Sequence, residues 1–200
     1  VSDFVYLASQ SPRRRQLLEQ IGVRHELLLA GPDEDAEALE AEVVGELPAD
    51  YVQRVTRAKL RAARLRLASR GLPSSPILCS DTTVALGRRI FGKPADADDA
   101  RRILSALSGK THRVLTGVAV FDGRRSALRV STSHVHFVPL SAAQIDGYIA
   151  SGEPFGKAGA YAIQSAAATW IDRIDGSYSA IMGLPLYETA LLLRQARVKF

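Results

Sequence analysis

Asp81 is the residue of this chain best suited to chemistry. It follows Pro76-Ile77-Leu78-Cys79-Ser80, an apolar stretch that reads as a buried strand, and precedes Thr82-Thr83-Val84. A carboxylate where a strand emerges lies where α/β sheets place their ligands. There it can ligate a divalent cation or orient a water. The plainer reading is an aspartate capping a turn, with Thr82 and Thr83 as ordinary strand residues. Glu34 is a second carboxylate just after a strand, and taken alone it reads as one of several solvated acids.

Cations suited to phosphate accompany these acids. The apolar run Phe4 to Ala8 leads into Ser9-Gln10-Ser11-Pro12-Arg13-Arg14-Arg15 and then a helical pattern. Ser11 suits the N-cap, Pro12 the first helical position, and Gly22 the end. Free backbone N–H groups, the positive end of a helix dipole and guanidinium forks meet there, as phosphate oxygens require. Arginines in a first turn oppose the dipole unless an anion joins them, so the alternative is a capped surface helix with solvated arginines. Lys93 sits between Gly92 and Pro94, which fix the backbone and allow a ligand to approach. Lys59 lies among half-buried helix positions, where a lysine usually snorkels to solvent.

Lys157-Ala158-Gly159-Ala160-Tyr161-Ala162-Ile163-Gln164 combines small residues with a lysine and a terminal amide. Small residues permit close backbone approach, and an amide offers the donor and acceptor that reading a base edge needs. The alternative is a close-packed strand pair. His134 and His136 share one strand face and could bind metal, but no acid or cysteine lies near them in sequence, so they read as core or surface histidines. Cys79, the single cysteine, excludes an internal disulfide and reads as a buried, inert thiol.

Alternating strand and helix patterns must position these residues. A short strand spans Glu26 to Ala30, and Asp50 can cap a helix from Tyr51 to about Ser69. The strand opened at Pro76 ends in the Ser80–Val84 stretch. Gly87 turns the chain toward Ile90-Phe91. A helix covers Asp96 to Leu107 and closes at Gly109. Strands Arg113 to Phe121 and Leu128 to Val138 form a hairpin at Asp122-Gly123. Ser141 and Gln144 match a capping box. A strand from Thr169 to Ile174 and a helix from Gly183-Leu184-Pro185 to about Ala196 complete the chain. Early alternation and later antiparallel pairing give an α/β class: a mixed, twisted β-sheet flanked by helices, with two lobes around a central cleft, in a single domain over residues 1–200.

Of the 200 residues, 46% are hydrophobic and 24% charged, which supports a substantial core. No run is long enough for a membrane span and no signal peptide is recognisable. The single cysteine, Cys79, fits a reducing cytoplasm, which is the expected location. The net charge of +5 favours anionic partners, either nucleotides or nucleic acid. The arginines are dispersed along helices, with no basic arm or helix-turn-helix signature, which argues against a specific nucleic-acid partner.

In order, Leu7-Ala8-Ser9-Gln10-Ser11-Pro12-Arg13-Arg14, Ser80-Asp81-Thr82-Thr83-Val84, Gly92-Lys93-Pro94, Ser108-Gly109-Lys110-Thr111-His112, Lys157 to Gln164, Gly176-Ser177-Tyr178 and Gly183-Leu184-Pro185-Leu186 resemble the Maf family of nucleotide pyrophosphatases. The resemblance implies cleavage of a nucleoside triphosphate between its α and β phosphates, assisted by Mg²⁺ or Mn²⁺, in the house-cleaning of nucleotide pools. It assigns Asp81 as catalytic base, Glu34 with Asp81 to metal or water, and Ser11, Arg13, Arg14, Lys59 and Lys93 to the substrate. Arg13, Thr82 and Gln164 match the branch acting on dTTP and UTP. The 7-methyl-GTP branch tends to carry an aromatic, a Gln and a Glu at those positions. A homodimer is also implied. Departures from the family pattern are Gly156, Ser165 and Met182. The rival readings are a pyrophosphatase for other modified nucleotides such as 7-methyl-GTP, a nucleotide sensor without turnover, and a nucleotide- or nucleic-acid-binding regulator of cell division.

Overall fold

In the computed structural model, which describes residues 2–200, the apolar run near the start forms the fully buried strand β1 (Val5–Leu7). Helix α1 (Pro12–Gln20) follows with Pro12 in its first turn. Ser11 occupies the N-cap, although its hydroxyl makes no capping bond. Strand β2 (His25–Leu27) is shorter and earlier than the Glu26–Ala30 expectation, and pairs in parallel with β1. Helix α2 (Pro48–Ser69) begins three residues before the expected Tyr51. Pro48 pre-sets its first turn and Leu47 takes the N-cap, so Asp50 falls inside the first turn, where its charge favours the dipole.

The central strands are β3 (Ile77–Leu86), β4 (Arg89–Phe91), β5 (Thr111–Phe121) and β6 (Ser126–Phe137). Between them α3 (Ala97–Leu107) is capped by the Asp96 carboxylate, which accepts from Asp99 N. Helix α4 (Ala142–Ala150) carries the expected capping box of Ser141 and Gln144. Residues 157–164 form turns and a short 3₁₀ turn at Ala158–Ala160, with no strand pair. Strand β7 (Ile171–Asp175) and helices α5 (Tyr178–Met182) and α6 (Leu186–Gln195) follow.

One seven-stranded mixed sheet runs β2-β1-β3-β5-β6-β7, with β4 added to β3. The β1 pairings are parallel and the others antiparallel. On one edge β3 is covered by β5 from Ile77 to Ala85. On the other, β1 covers only Ile77 and Leu78, and β4 resumes at Val84. Residues 79–83 therefore have no strand neighbour on that side, and the sheet splits there.

Side-chain alternation sorts the layers. Tyr6, Ile77, Cys79 and Ala119 pack with Leu60 and Ala63 of α2 on one face. Val5, Leu7, Leu78, Val118 and Val120 pack on the other with Leu17 and Leu18 of α1 and Leu192 and Leu193 of α6. A further cluster joins Val84 and Phe91 to α3, α4 and Trp170. The apolar interior is thus divided about the split in the sheet, matching the expected two-lobed mixed architecture.

Candidate active site

A cleft of about 790 Å³ opens at the split. The loop after β1, the middle of β3, the end of β4, residues 34–40 and the stretch around Lys157 line it. Asp81 lies in the middle of β3 and not at its end. Thr82, Thr83 and Val84 are β-branched and favour a continuing strand. The missing edge neighbour, rather than a strand terminus, opens this position to a ligand.

Asp81 is 6% exposed and faces α2. Lys59 Nζ donates to Asp81 Oδ1 at 2.6 Å and to Glu40 Oε1 at 2.8 Å. Lys59 therefore turns inward to two carboxylates instead of snorkelling. A glycine permits the approach: Gly117 of β5 is the register partner of Asp81, and a Cβ there would stand 2.3 Å from Thr56 Oγ1 on α2. Lys93 Nζ reaches Glu40 as well, at 2.9 Å from Oε2. Glu40, on a 3₁₀ turn at Ala38–Glu40, was missed in the sequence, because an acid in an irregular segment carries no periodic signal. Burial works against its charge, yet Lys59 and Lys93 hold its carboxyl below the usual range.

Thr82 projects from the opposite face of β3, toward α1 and α5. Arg14 Nε donates to Gly183 O at 2.7 Å, Nη1 to Ser9 Oγ at 3.0 Å, and Nη2 to Thr82 Oγ1 at 3.4 Å. Arg13 Nε donates to Met182 O at 3.2 Å, its one hydrogen bond among the described residues. The two arginines are thus held through Nε by adjacent carbonyls. Arg14 has its fork engaged, and Arg13 has its terminal nitrogens free for a ligand. Burial lowers the pKa of both guanidinium groups, and Asp81 opposes this at Arg14. Thr116 Oγ1 lies 2.7 Å from Ala180 O and 3.2 Å from Thr82 Oγ1. Since arginine only donates and a carbonyl only accepts, the proton order runs Arg14, Thr82, Thr116, Ala180.

Glu34 lines the cleft, but both its oxygens are held by the Arg66 guanidinium at 2.8 Å and 2.6 Å. That pair, with Gly31 N–H, brings its carboxyl down to about 2. Arg66, buried on α2, also donates to Leu28 O at 2.8 Å. Glu34, read in the sequence as a solvated acid or as an aid to metal or water, is engaged in a bidentate pair with Arg66. Ser11 lines the cleft and its N–H donates to Ser9 Oγ at 3.2 Å. Gln164 is exposed, one residue beyond the lining Ile163. Gly159, with φ of +73°, donates its N–H to Gly92 O and rests against Val84 where any Cβ would collide. This seats the Lys157 segment beside Lys93. Burial and the nearby Arg13 charge both lower the Lys157 pKa.

The remaining candidates lie outside the cleft. Cys79 is buried, and desolvation pushes its thiol up to about 12. His136 pairs with Asp172 across β6 and β7, a partner invisible in the local sequence. Among the described residues no group of three or more His, Cys, Asp or Glu side chains could hold a metal by itself. Asp81 offers the hard carboxylate oxygen that Mg²⁺ or Mn²⁺ takes when substrate phosphates complete its coordination. No described helix is long and apolar enough to cross a membrane.

The chain is similar over its whole length to proteins of known name. A dTTP/UTP pyrophosphatase of Polaromonas sp. is 64% identical over 99% of this chain and 98% of its own length. The dTTP/UTP pyrophosphatase of Albidiferax ferrireducens is 62% identical over 97% of each chain. That of Cupriavidus metallidurans is 62% identical over the full length of both. The Maf family model, described as Maf-like protein, matches residues 4–196, and the chain belongs to the Maf family.

Proposed function

We propose that this enzyme hydrolyses dTTP and UTP to the nucleoside monophosphate and pyrophosphate, and so removes unwanted nucleotides from the pool. The observation that carries this reading is the convergence of cations from both faces of β3 on the uncovered edge beside Asp81. Arg13 and Arg14 approach from one face, and Lys59 and Lys93 from the other. Fixed positive charge in a partly dry cleft stabilises a polyphosphate far better than the same charges in water. The full-length relatives named for dTTP and UTP support the choice of substrate.

In the reaction, Asp81 orients a water in line with the α phosphorus and accepts its proton. The water oxygen bonds to the α phosphorus as the bond to the α–β bridging oxygen breaks. Pyrophosphate leaves with that electron pair. Lys59 moves from its carboxylate partners to the phosphate chain, and Lys93 and the free nitrogens of Arg13 hold the remaining oxygens. Arg14 braces Thr82 and Ser9, so it fixes the wall against which the nucleoside lies. Asp81 would hold a divalent ion, Mg²⁺ or Mn²⁺, which would supply neutralisation of the charge growing on the leaving group. Glu34 would reach the metal or the water only after exchanging its Arg66 partner. Arg13, Thr82 and Gln164 set the preference for a pyrimidine that offers a carbonyl beside a ring N–H. In this reading residues 1–200 act as one catalytic domain, in the cytoplasm, and as a homodimer.

The test is a panel of dTTP, UTP, CTP, dGTP, ITP and 7-methyl-GTP with Mg²⁺ or Mn²⁺, scored by release of pyrophosphate and monophosphate. Preferential turnover of dTTP and UTP is expected. Turnover of 7-methyl-GTP alone would keep the reaction and overturn the pyrimidine preference. Release from none would overturn the enzymatic reading in favour of a nucleotide sensor.

A further inference from the structure

Glu40 stands where the cleft should be receiving phosphate. Its Oε1 is 2.8 Å from Lys59 Nζ and 3.2 Å from Lys93 Nζ, and its Oε2 is 2.9 Å from Lys93 Nζ. Both oxygens of one carboxylate thus face the two ammonium groups assigned above to the triphosphate. The backbone is pinned too: Tyr51 Oη donates to Glu40 O at 2.8 Å, tying the 3₁₀ turn to α2. The side chain is only a quarter exposed, so it is seated in the cleft. Lys59 keeps Asp81 at 2.6 Å in the same arrangement, so Glu40 is not needed to neutralise it.

A phosphate group bonds ammonium donors at the same distances as a carboxylate, so the two cannot occupy the space between Lys59 and Lys93 together. We propose that Glu40 is a specificity-determining residue whose carboxylate fills a phosphate position between Lys59 and Lys93 and must be displaced by an incoming polyphosphate. This rests on the reading of the cleft as a nucleoside triphosphate site. A chain of linked phosphates brings several charges and many oxygens, enough to exchange for one carboxylate. A single phosphate brings less and competes poorly. Glu40 thereby discriminates by phosphate-chain length and returns to its lysines as the products leave.

This role and a merely structural one have opposite signs. A residue that only holds the lysines in place would, on removal, weaken anion binding. An occupant of the site would, on removal, strengthen it. The experiment is calorimetric titration of the whole protein with inorganic pyrophosphate and with inorganic phosphate, in metal chelator, for wild type, Glu40→Gln and Glu40→Ala. Loss of one charge-assisted competitor is expected to tighten pyrophosphate binding about tenfold. Phosphate binding should tighten more than pyrophosphate binding, so the preference for pyrophosphate over phosphate narrows. Unchanged or weaker pyrophosphate binding in both variants would overturn the proposal. In a separate titration with MnCl₂ and no chelator, loss of Mn²⁺ affinity in Glu40→Gln without a gain for pyrophosphate would also overturn it, making Glu40 a metal ligand. Pyrophosphate release from dTTP by wild type, measured alongside, separates the two levels. Turnover without the gain overturns the role of Glu40 alone, whereas no release overturns the function and this role together.

Discussion

Lys59 of α2 donates to Asp81 of β3 at 2.6 Å, across an interface that is close because Gly117, the β5 partner of Asp81, has no side chain. The helix rests directly on the sheet there, with Thr56 Oγ1 and Val52 O over the glycine. One missing Cβ thus sets the spacing between the Asp81 carboxylate and the Lys59 ammonium, the groups proposed as base and phosphate ligand.

Replacing that glycine tests the relationship. Gly117→Ala is expected to push α2 away from the sheet and cost about 1–3 kcal/mol of stability, the usual range for overpacking. Turnover should fall even at temperatures where the variant is fully folded, because α2 carries Lys59 away from the cleft beside Asp81 and so from the phosphate chain. Urea unfolding and single-temperature kinetics measure the two effects. Wild-type turnover in a destabilised variant would show that this spacing does not matter to the chemistry.

Asp81→Asn retains the shape of the side chain and removes its basicity. The melting temperature should stay close to wild type, and kcat for dTTP should drop about 10²- to 10⁴-fold, the scale of general base catalysis. Substrate affinity should survive, since the cations remain. A variant with near-normal kcat would remove Asp81 from the role of base.

The two arginines should separate in their effects. Arg14→Lys forfeits bonds to Gly183 O, Ser9 Oγ and Thr82 Oγ1 that a lysine cannot reproduce together. It should lower the melting temperature as well as activity. Arg13→Lys loses one bond to Met182 O and should mainly raise KM for dTTP, by about tenfold, with little change in melting. Equal losses of stability in both variants would contradict the assignment of brace and ligand-facing fork.

His112, on β5, gives a pH dependence that does not involve Asp81. It is buried, its Nε2 lies 2.8 Å from Tyr161 Oη, and burial, with the His136 charge, lowers its pKa from 6.5 to about 4. The unfolded chain therefore binds the proton more readily. Stability from this group is complete above pH 6.5 and is lost as the pH falls toward 4, by about 3 kcal/mol in all. Glu34, lowered from 4.5 to about 2, loses its contribution in a lower window, from pH 4.5 down toward 2, which overlaps the first only near pH 4. Urea unfolding of wild type and His112→Gln across this range should differ in slope only between pH 6.5 and 4. Parallel slopes would show that His112 titrates normally in the folded protein.

Much of this was legible in local sequence. Asp96 and the Ser141–Gln144 box marked helix starts because capping chemistry is local, and Pro12 marked the start of α1 through its fixed φ. Asp122-Gly123 marked the hairpin. The start of α2 was misplaced because Asp50 is as good a capping type as any, and Pro48 decided the matter. Asp81, Arg13, Lys59 and Lys93 were visible by residue type and motif, and the fold brings them to one cleft. What local sequence could not reveal were partners supplied by distant elements: Arg66 for Glu34, Glu40 for the two lysines, and the Met182 and Gly183 carbonyls for the arginines. Carbonyls carry no residue signature, and a single acid in an irregular segment looks like any other.

The most direct test of the mechanism is hydrolysis of dTTP in heavy-oxygen water, with mass analysis of both products. Attack by an Asp81-oriented water on the α phosphorus places the label in the nucleoside monophosphate and leaves the pyrophosphate unlabelled. Label in the pyrophosphate, or release of inorganic phosphate in place of pyrophosphate, would contradict it.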